Sequence, residues 1–195
     1  YILGQEVEAF EREWAAYCGA KHRVGVGNGL DALHLILRAM QIGPGDEVIT
    51  TPFTFVATTE VIALIGAKPV YVDVDPGTFN LDPTRIEAKI TSRTKAILPV
   101  HLYGQAANVP AISEVAAKHG LRVIYDGAQA IGAETLGKPV GAFGDATTLS
   151  FFPTKNLGGA GDGGMVLVND EELAERLRFL RFHGSGGTYS YRYVG

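Results

Sequence analysis

An α/β fold of three layers, α/β/α, around a mostly parallel sheet is what this sequence predicts, and three observations predict it. Short apolar runs alternate along the chain with amphipathic stretches of helical period. Several of the runs, VIY at 123–125 and MVLV at 165–168 among them, are apolar on both faces, as in a strand covered from two sides. Glycine, proline and aspartate punctuate the junctions. Strands alternating with helices in this way form βαβ units. With no linker, internal repeat or low-complexity tract, residues 1–195 read as one domain.

The first element is a helix over residues 5–17, where Val7, Phe10, Trp14 and Tyr17 recur at three- and four-residue steps with charges between them. A strand over 23–26 follows. Asn28 caps the next helix, whose apolar face is Leu30, Leu33, Leu37 and Met40. Pro44, Gly45 and Asp46 turn the chain into the strand EVIT. Residues 55–65 read as a helix, 69–74 as a strand, and Asp75, Pro76 and Gly77 as a turn. Asp82 and Pro83 mark the start of a helix over 81–90. Strand 95–100, helix 109–118 and strand 121–125 continue the alternation, with Asp126 at the strand's end. Apolar runs at 147–151 and 165–168 complete the sheet, and Asp170 opens a last helix through Phe182. The closing stretch RFHGSGGTYSYRYVG carries neither period.

Composition narrows the class of function. At 46% hydrophobic and 19% charged the chain is that of a soluble globular protein. Its net charge of −4 and pI near 5.7 lack the basic excess of a nucleic-acid binder. No stretch reaches the 18 or so uncharged apolar residues of a membrane span, and no signal-peptide pattern is present, so a cytoplasmic setting is expected. The lone Cys18 sits in a helical pattern beside Trp14 and Tyr17, with no basic neighbour, which suits a packed thiol better than a nucleophile. The absent initiator methionine and the irregular last segment suggest a piece of a longer protein.

Ligands of such folds gather beyond the carboxyl ends of the strands, and four chemically distinctive stretches fall there. In VGVGNGLDAL, Gly29, Leu30 and Asp31 start a helix whose unpaired N–H groups and dipole favour a phosphate. A dinucleotide fingerprint is disfavoured because the third glycine of G-x-G-x-x-G is replaced by Leu30; a plain capping turn is the bland alternative. In TPFTFVAT, either Phe53 or Phe55 could stack on a planar ring, or both could be core. Asp126 ends a buried strand, where a carboxylate needs a cation or hydrogen-bond donor: Arg122, Arg181 or a protonated ring nitrogen. The stretch DATTLSFFPTKNLGGAGDGG sets Ser150 and Lys155 before a glycine-dense turn. A lysine in a pocket there would deprotonate readily and attack a carbonyl, whereas most lysines are solvated. A phosphate loop, an aromatic plate, an acid and a lysine in this order are what pyridoxal 5'-phosphate requires.

With those residues in place the chain resembles the sugar aminotransferases of the DegT/DnrJ/EryC1/StrS family, pyridoxal-phosphate enzymes of fold type I. The resemblance runs through GNGLDAL, GDEVITTPFTFVATTEVI, PVYVDVDPGTFNLDP, AILPVHLYGQ, YDGAQAIGA, SFFPTKNLGGAGDGG and RFHG. It implies that residues 1–195 form the cofactor-binding large domain, with the family's smaller C-terminal domain lying beyond them. It also assigns roles by position. Lys155 is the internal aldimine lysine and proton carrier, and Asp126 keeps the pyridine nitrogen protonated. Phe55 stacks on the ring, and Gln129 lies near the ring hydroxyl. Ser150 with the amides of Gly29 and Leu30 holds the phosphate. The implied reaction is a two-half transamination from glutamate or glutamine to a nucleotide-linked keto sugar, in a homodimer with shared active sites. GNGLDAL and PVHLYGQ look most like members acting on dTDP-3-keto-6-deoxyhexoses, and lysine rather than histidine at 155 argues against the dehydratase branch.

Two positions depart from the common pattern: Leu30 stands for a frequent threonine, removing one phosphate contact, and Gly127 for a frequent alanine, loosening the ring's far face. A regulatory member that only binds the cofactor or a nucleotide sugar, and another fold type I enzyme acting on amino acids, are the competing readings. A chain limited to these 195 residues is expected to turn over poorly or not at all.

Overall fold

The computed structural model describes residues 2–187 and 189–195; Tyr1 and Thr188, in the two terminal stretches, lie outside them. In chain order the elements are α1 (Gln5–Cys18), β1 (His22–Val26), α2 (Gly29–Ala39), β2 (Glu47–Thr50), α3 (Ala57–Leu64), β3 (Lys68–Tyr71) and β4 (Thr94–Leu98). They continue with α4 (Val109–His119), β5 (Arg122–Asp126), β6 (Glu134–Thr135), β7 (Lys138–Pro139), β8 (Ala146–Ser150), β9 (Gly164–Val168), α5 (Glu171–Leu180), β10 (Ser185–Gly187) and β11 (Ser190–Tyr191). A seven-stranded sheet in the order β1-β9-β8-β5-β4-β2-β3 carries the fold. The pairs among β8, β5, β4, β2 and β3 are parallel, and β9 alone runs against both of its neighbours, β1 and β8. The expected three-layer, mostly parallel architecture is therefore what forms.

Strand alternation sorts the layers. Val166 and Val168 face one side with Leu33, Leu37, Val61 and Leu177, from α2, α3 and α5. Met165 and Leu167 face the other, against Trp14 and Cys18 of α1. Val123 and Tyr125 share that second side with Val109 and Ile112 of α4. Cys18 is a packed thiol, as its context suggests, and burial pushes it up to about 11.

Side-chain caps set the helix starts. Asn28 Oδ1 accepts from Asp31 N at 2.8 Å, Asn108 Oδ1 from Ala111 N at 3.2 Å and Asp170 Oδ1 from Leu173 N at 3.1 Å. Gly19 and Gly120 end α1 and α4 in the left-handed conformation.

Two expectations fail. Residues 81–90 are not one helix but two short 3₁₀ turns, Pro83–Arg85 and Glu87–Lys89. Leu81 pairs back with Val74 as an isolated bridge, and Asp82 Oδ1 accepts from Thr84 N, two residues on, which draws the chain into a tight turn. The closing stretch, aperiodic in sequence, forms the small antiparallel ladder β10-β11.

Arg122 and Arg181 are engaged elsewhere, so neither is the cation that Asp126 needs. Arg122 Nη1 meets Asp145 Oδ1 at 2.6 Å, at the far end of β5, roughly 13 Å along the strand from Asp126. Arg181 closes the free edge of β1. Glu11 Oε1 accepts from Gly25 N at 2.8 Å, while Arg181 Nη1 donates to Glu11 Oε1 at 2.6 Å and to Gly25 O at 3.0 Å. Two side chains thus take the place of a neighbouring strand and blunt an edge that could recruit another chain.

Both partners of that pair are largely buried, at 15% and 12% exposure. Arg181→Met therefore leaves the Glu11 carboxylate without its cation and the Gly25 carbonyl without its side-chain donor, and costs about 3 kcal/mol in a denaturant titration. Arg178→Met, which removes a long exposed pair with Glu171, costs less than about 0.5 kcal/mol.

Candidate active site

The stretches that carry Gly29, Leu30, Phe55, Asp126, Gln129, Ser150 and Lys155 follow the ends of β1, β2, β5 and β8, on the rim where β9 begins. Asp126 and Ser150 face the same layer, toward α2 and α3, because each is two residues on from a strand residue, Ile124 or Thr148, on that face.

The anion end is built by α2. Asn28 takes Asp31 N with its side chain and Ala32 N with its carbonyl. The amides of Gly29 and Leu30 are left at the helix N-terminus, where partial positive charge collects. Leu30 sends its side chain into the core cluster against α2, so it offers an amide and no side-chain donor. Gly29 lies against Ser150: a Cβ on it would fall 2.7 Å from Ser150 Cβ and 3.1 Å from its Oγ. The Ser150 hydroxyl accepts weakly from Phe152 N at 3.4 Å, which leaves its own proton to donate. Gly164, the first residue of β9, is equally confined, since any side chain there would collide with the Asn28 carbonyl.

The acid is Asp126, 6% exposed. Burial raises its pKa, and three contacts pull it back: Ala128 N donates to Oδ1 at 3.1 Å, Thr58 Oγ1 donates to Oδ2 at 2.9 Å, and the charge of Lys155 acts on it. Asp126 ends β5, and the loop that carries Lys155 follows β8, the parallel strand paired with it.

Lys155 is half-buried in a loop that coils back on itself. Its N–H donates to Phe152 O at 2.8 Å, Gly159 N donates to Phe151 O at 2.8 Å, and Gly158 has no room for a side chain beside the Pro153 carbonyl. Asn156 Nδ2 donates to Ile131 O at 2.6 Å, pinning this loop to the one that follows Asp126.

The two aromatics separate. Phe53 packs on Phe79 and Tyr103, with centroids at 5.8 and 6.5 Å. Phe55 precedes α3, is 68% exposed, and among the described residues has no ring against it. Gln129 Oε1 accepts from Tyr103 N at 2.7 Å, so its Nε2 hydrogens remain to donate to a ligand oxygen. Gly127 does not loosen the site as expected. A Cβ there would point at Thr147 Cγ2 and Thr148 O, both at 3.0 Å, and so into β8.

Sequence reasoning missed Thr58 and Asn156. The signal for Thr58 was available: it lies on the buried face of α3 with Val61 and Ile62, and a hydroxyl there needs a polar partner. Asn156 had none, because a side chain reaching a main-chain carbonyl 25 residues away leaves no local pattern. Among the described residues no group of histidine, cysteine, aspartate or glutamate is placed to hold a metal ion.

The arrangement offers an anion cradle, an exposed aromatic face, a buried carboxylate and an amine beside it, matched to a phosphorylated aromatic aldehyde with a basic ring nitrogen.

The sequence profile of the DegT/DnrJ/EryC1/StrS aminotransferase family matches residues 1–195. The chain is 58% identical, over its whole length and 52% of the relative's, to a pleiotropic regulatory protein of Geobacillus stearothermophilus. It is 56% identical to a UDP-N-acetyl-3-dehydro-alpha-D-glucosamine 3-aminotransferase of Acidithiobacillus ferrooxidans, over all of the chain and 53% of that enzyme. It is 55% identical to a dTDP-3-amino-3,6-dideoxy-alpha-D-galactopyranose transaminase of Aneurinibacillus thermoaerophilus, over all of the chain and 54% of that enzyme. Its fold matches the crystal structure of S. venezuelae DesV in complex with a ketimine intermediate, with a TM-score of 0.97 and 50% identity, covering 99% of this chain and 52% of that one. The chain thus spans about half the length of the relatives it matches.

Gly29→Ala forces Ser150 away from the helix N-terminus and is expected to weaken pyridoxal 5'-phosphate binding about tenfold or more, measured by fluorescence titration. Gly161→Ala meets nothing within 4 Å and leaves the affinity within about twofold.

Proposed function

The chain belongs to the DegT/DnrJ/EryC1/StrS aminotransferase family, and on that premise we propose that it is the large domain of an enzyme that transfers an amino group to a nucleotide-linked keto sugar. The observation that carries the reading is the buried Asp126 at the end of β5, next to β8, whose following loop carries the half-buried Lys155.

The family's aminotransferases depend on pyridoxal phosphate. When bound, that group supplies an aldehyde to amines and a ring able to take up an electron pair. Lys155 Nζ would be the covalent anchor for that aldehyde in this reading and, as a free amine, a base placed to move a proton between substrate and cofactor carbons. Asp126 supplies the negative charge that holds a proton on the ring nitrogen. Phe55 offers the flat face, Gln129 Nε2 a donor for the ring oxygen, and Gly29 N, Leu30 N and Ser150 Oγ the donors for the phosphate.

The amino donor in this proposal is glutamate or glutamine, and the acceptor is a sugar with its keto group at carbon 3, the position in the names of the UDP- and dTDP-sugar relatives. A dTDP-linked 6-deoxyhexose is the acceptor we favour, on the GNGLDAL and PVHLYGQ stretches. A cytoplasmic setting belongs to the same reading.

We further propose a homodimer with shared active sites. Phe152 and Leu157, at 48% and 46% exposure, leave apolar surface on the Lys155 loop that a second subunit would cover. A regulatory role is the second reading, kept because one 58% identical relative carries a regulatory name.

Protein mixed with pyridoxal phosphate is expected to turn yellow, and Lys155→Ala to stay colourless; an unchanged visible spectrum in the variant refutes the assignment. Glutamate or glutamine is expected to bleach the yellow form of the full-length parent. No bleaching with any amino donor favours the regulatory reading instead.

A further inference from the structure

We propose that Thr58 is a positioning residue that holds Asp126 in its charged form, ready for a cationic ring nitrogen, through a hydrogen-bond chain that starts at Thr54. The proposal rests on the cofactor reading above for the identity of the cation, and on distances alone for the chain.

Thr58 is fully buried. Its Oγ1 lies 2.9 Å from Asp126 Oδ2 and 2.9 Å from Thr54 Oγ1, and Ala128 N donates to the other carboxylate oxygen at 3.1 Å. A threonine hydroxyl has one proton to give. Where Asp126 is charged it can only accept, so Thr58 donates to it and Thr54 donates to Thr58. Both O–H groups then point at the carboxylate and polarise one another. A proton on Oδ2 directed at Thr58 reverses the chain, and Thr58 must then donate to Thr54. The half-buried Thr54 can turn to solvent in either arrangement, so the buried Thr58 is free to give its one proton to the carboxylate. Lys155 is the charged side chain acting on Asp126, and it favours the same form.

The chain also has a geometric effect. Thr54 and Thr58 flank Phe55 on the segment leading from β2 into α3, whereas Asp126 ends β5, 68 residues on from Thr58. One pair of hydroxyls thereby ties the aromatic plate and the acid into a single unit. Valine in place of Thr58 keeps the shape and removes the donor, leaving Oδ2 buried and unpaired.

The test has two arms. In cofactor-free protein, carbon-13 NMR of the Asp126 carboxyl is followed through a pH titration in the parent, Thr58→Val, Thr58→Ser and Thr54→Val. The valine variant at 58 is expected to titrate at higher pH than the parent, with Thr58→Ser restored to the parent and Thr54→Val shifted less in the same direction. Coincident titrations overturn the proposal, and Thr54→Val decides it if Thr58→Val does not fold. In the second arm, Thr58→Val is expected to bind pyridoxal 5'-phosphate about ten- to a hundred-fold more weakly and the 1-deaza analogue, which lacks the ring nitrogen, with unchanged affinity. Equal losses for both ligands reduce Thr58 to a structural residue and overturn the proposal. A parent that binds neither ligand contradicts the cofactor reading, and the titration still decides the role of Thr58.

Discussion

A carboxylate at the end of a central, doubly covered strand is the constraint on which this structure turns. Asp126 sits where desolvation opposes its charge, and the two arginines that the sequence offers as partners are committed to Asp145 and Glu11. What supports it instead is local and polar: one backbone N–H, one threonine hydroxyl and the nearby charge of Lys155. An acid held this way is stable enough to fold around, yet retains lone pairs for a cationic guest.

The topology assembles the rest of the site around that acid. Parallel strands deliver their carboxyl ends to one rim, so α2 brings its N-terminus, the β2–α3 turn its aromatics and the β8 loop its lysine, without any long excursion of the chain. The reversal of β9 adds a further constraint. Because β9 starts at this rim rather than ending there, Gly164 abuts the Asn28 carbonyl and the two loops interlock only in the absence of a side chain. The glycine-dense run after Lys155 is thus partly a packing requirement at Gly158 and Gly164 and partly open space at Gly161.

Much of this was legible in the sequence, for identifiable reasons. Apolar runs covered on both faces declare a parallel sheet, and the junction residues Asn28, Asp126 and Lys155 are conspicuous because their chemistry conflicts with the apolar runs beside them. Thr58 signalled its need of a polar partner, but not which one: Asp126 lies 68 residues away and meets it only once α3 packs on the sheet. Residues 81–90 misled because Asp82 and Pro83 are equally good starts for a 3₁₀ turn and for a helix, and the bridge from Leu81 to Val74 decided between them. That Phe53 packs on Phe79 and Tyr103 was not legible either, because those rings come from two other loops.

In the proposed reading Lys155 and Asp126 are two ends of one cofactor site. Borohydride reduction of protein loaded with pyridoxal phosphate, followed by peptide mapping in a mass spectrometer, tests it most directly. A single stable cofactor adduct on Lys155 is expected, formed in much lower yield when Asp126 is changed to alanine. An adduct carried mainly by another lysine, with Lys155 unmodified, would contradict it.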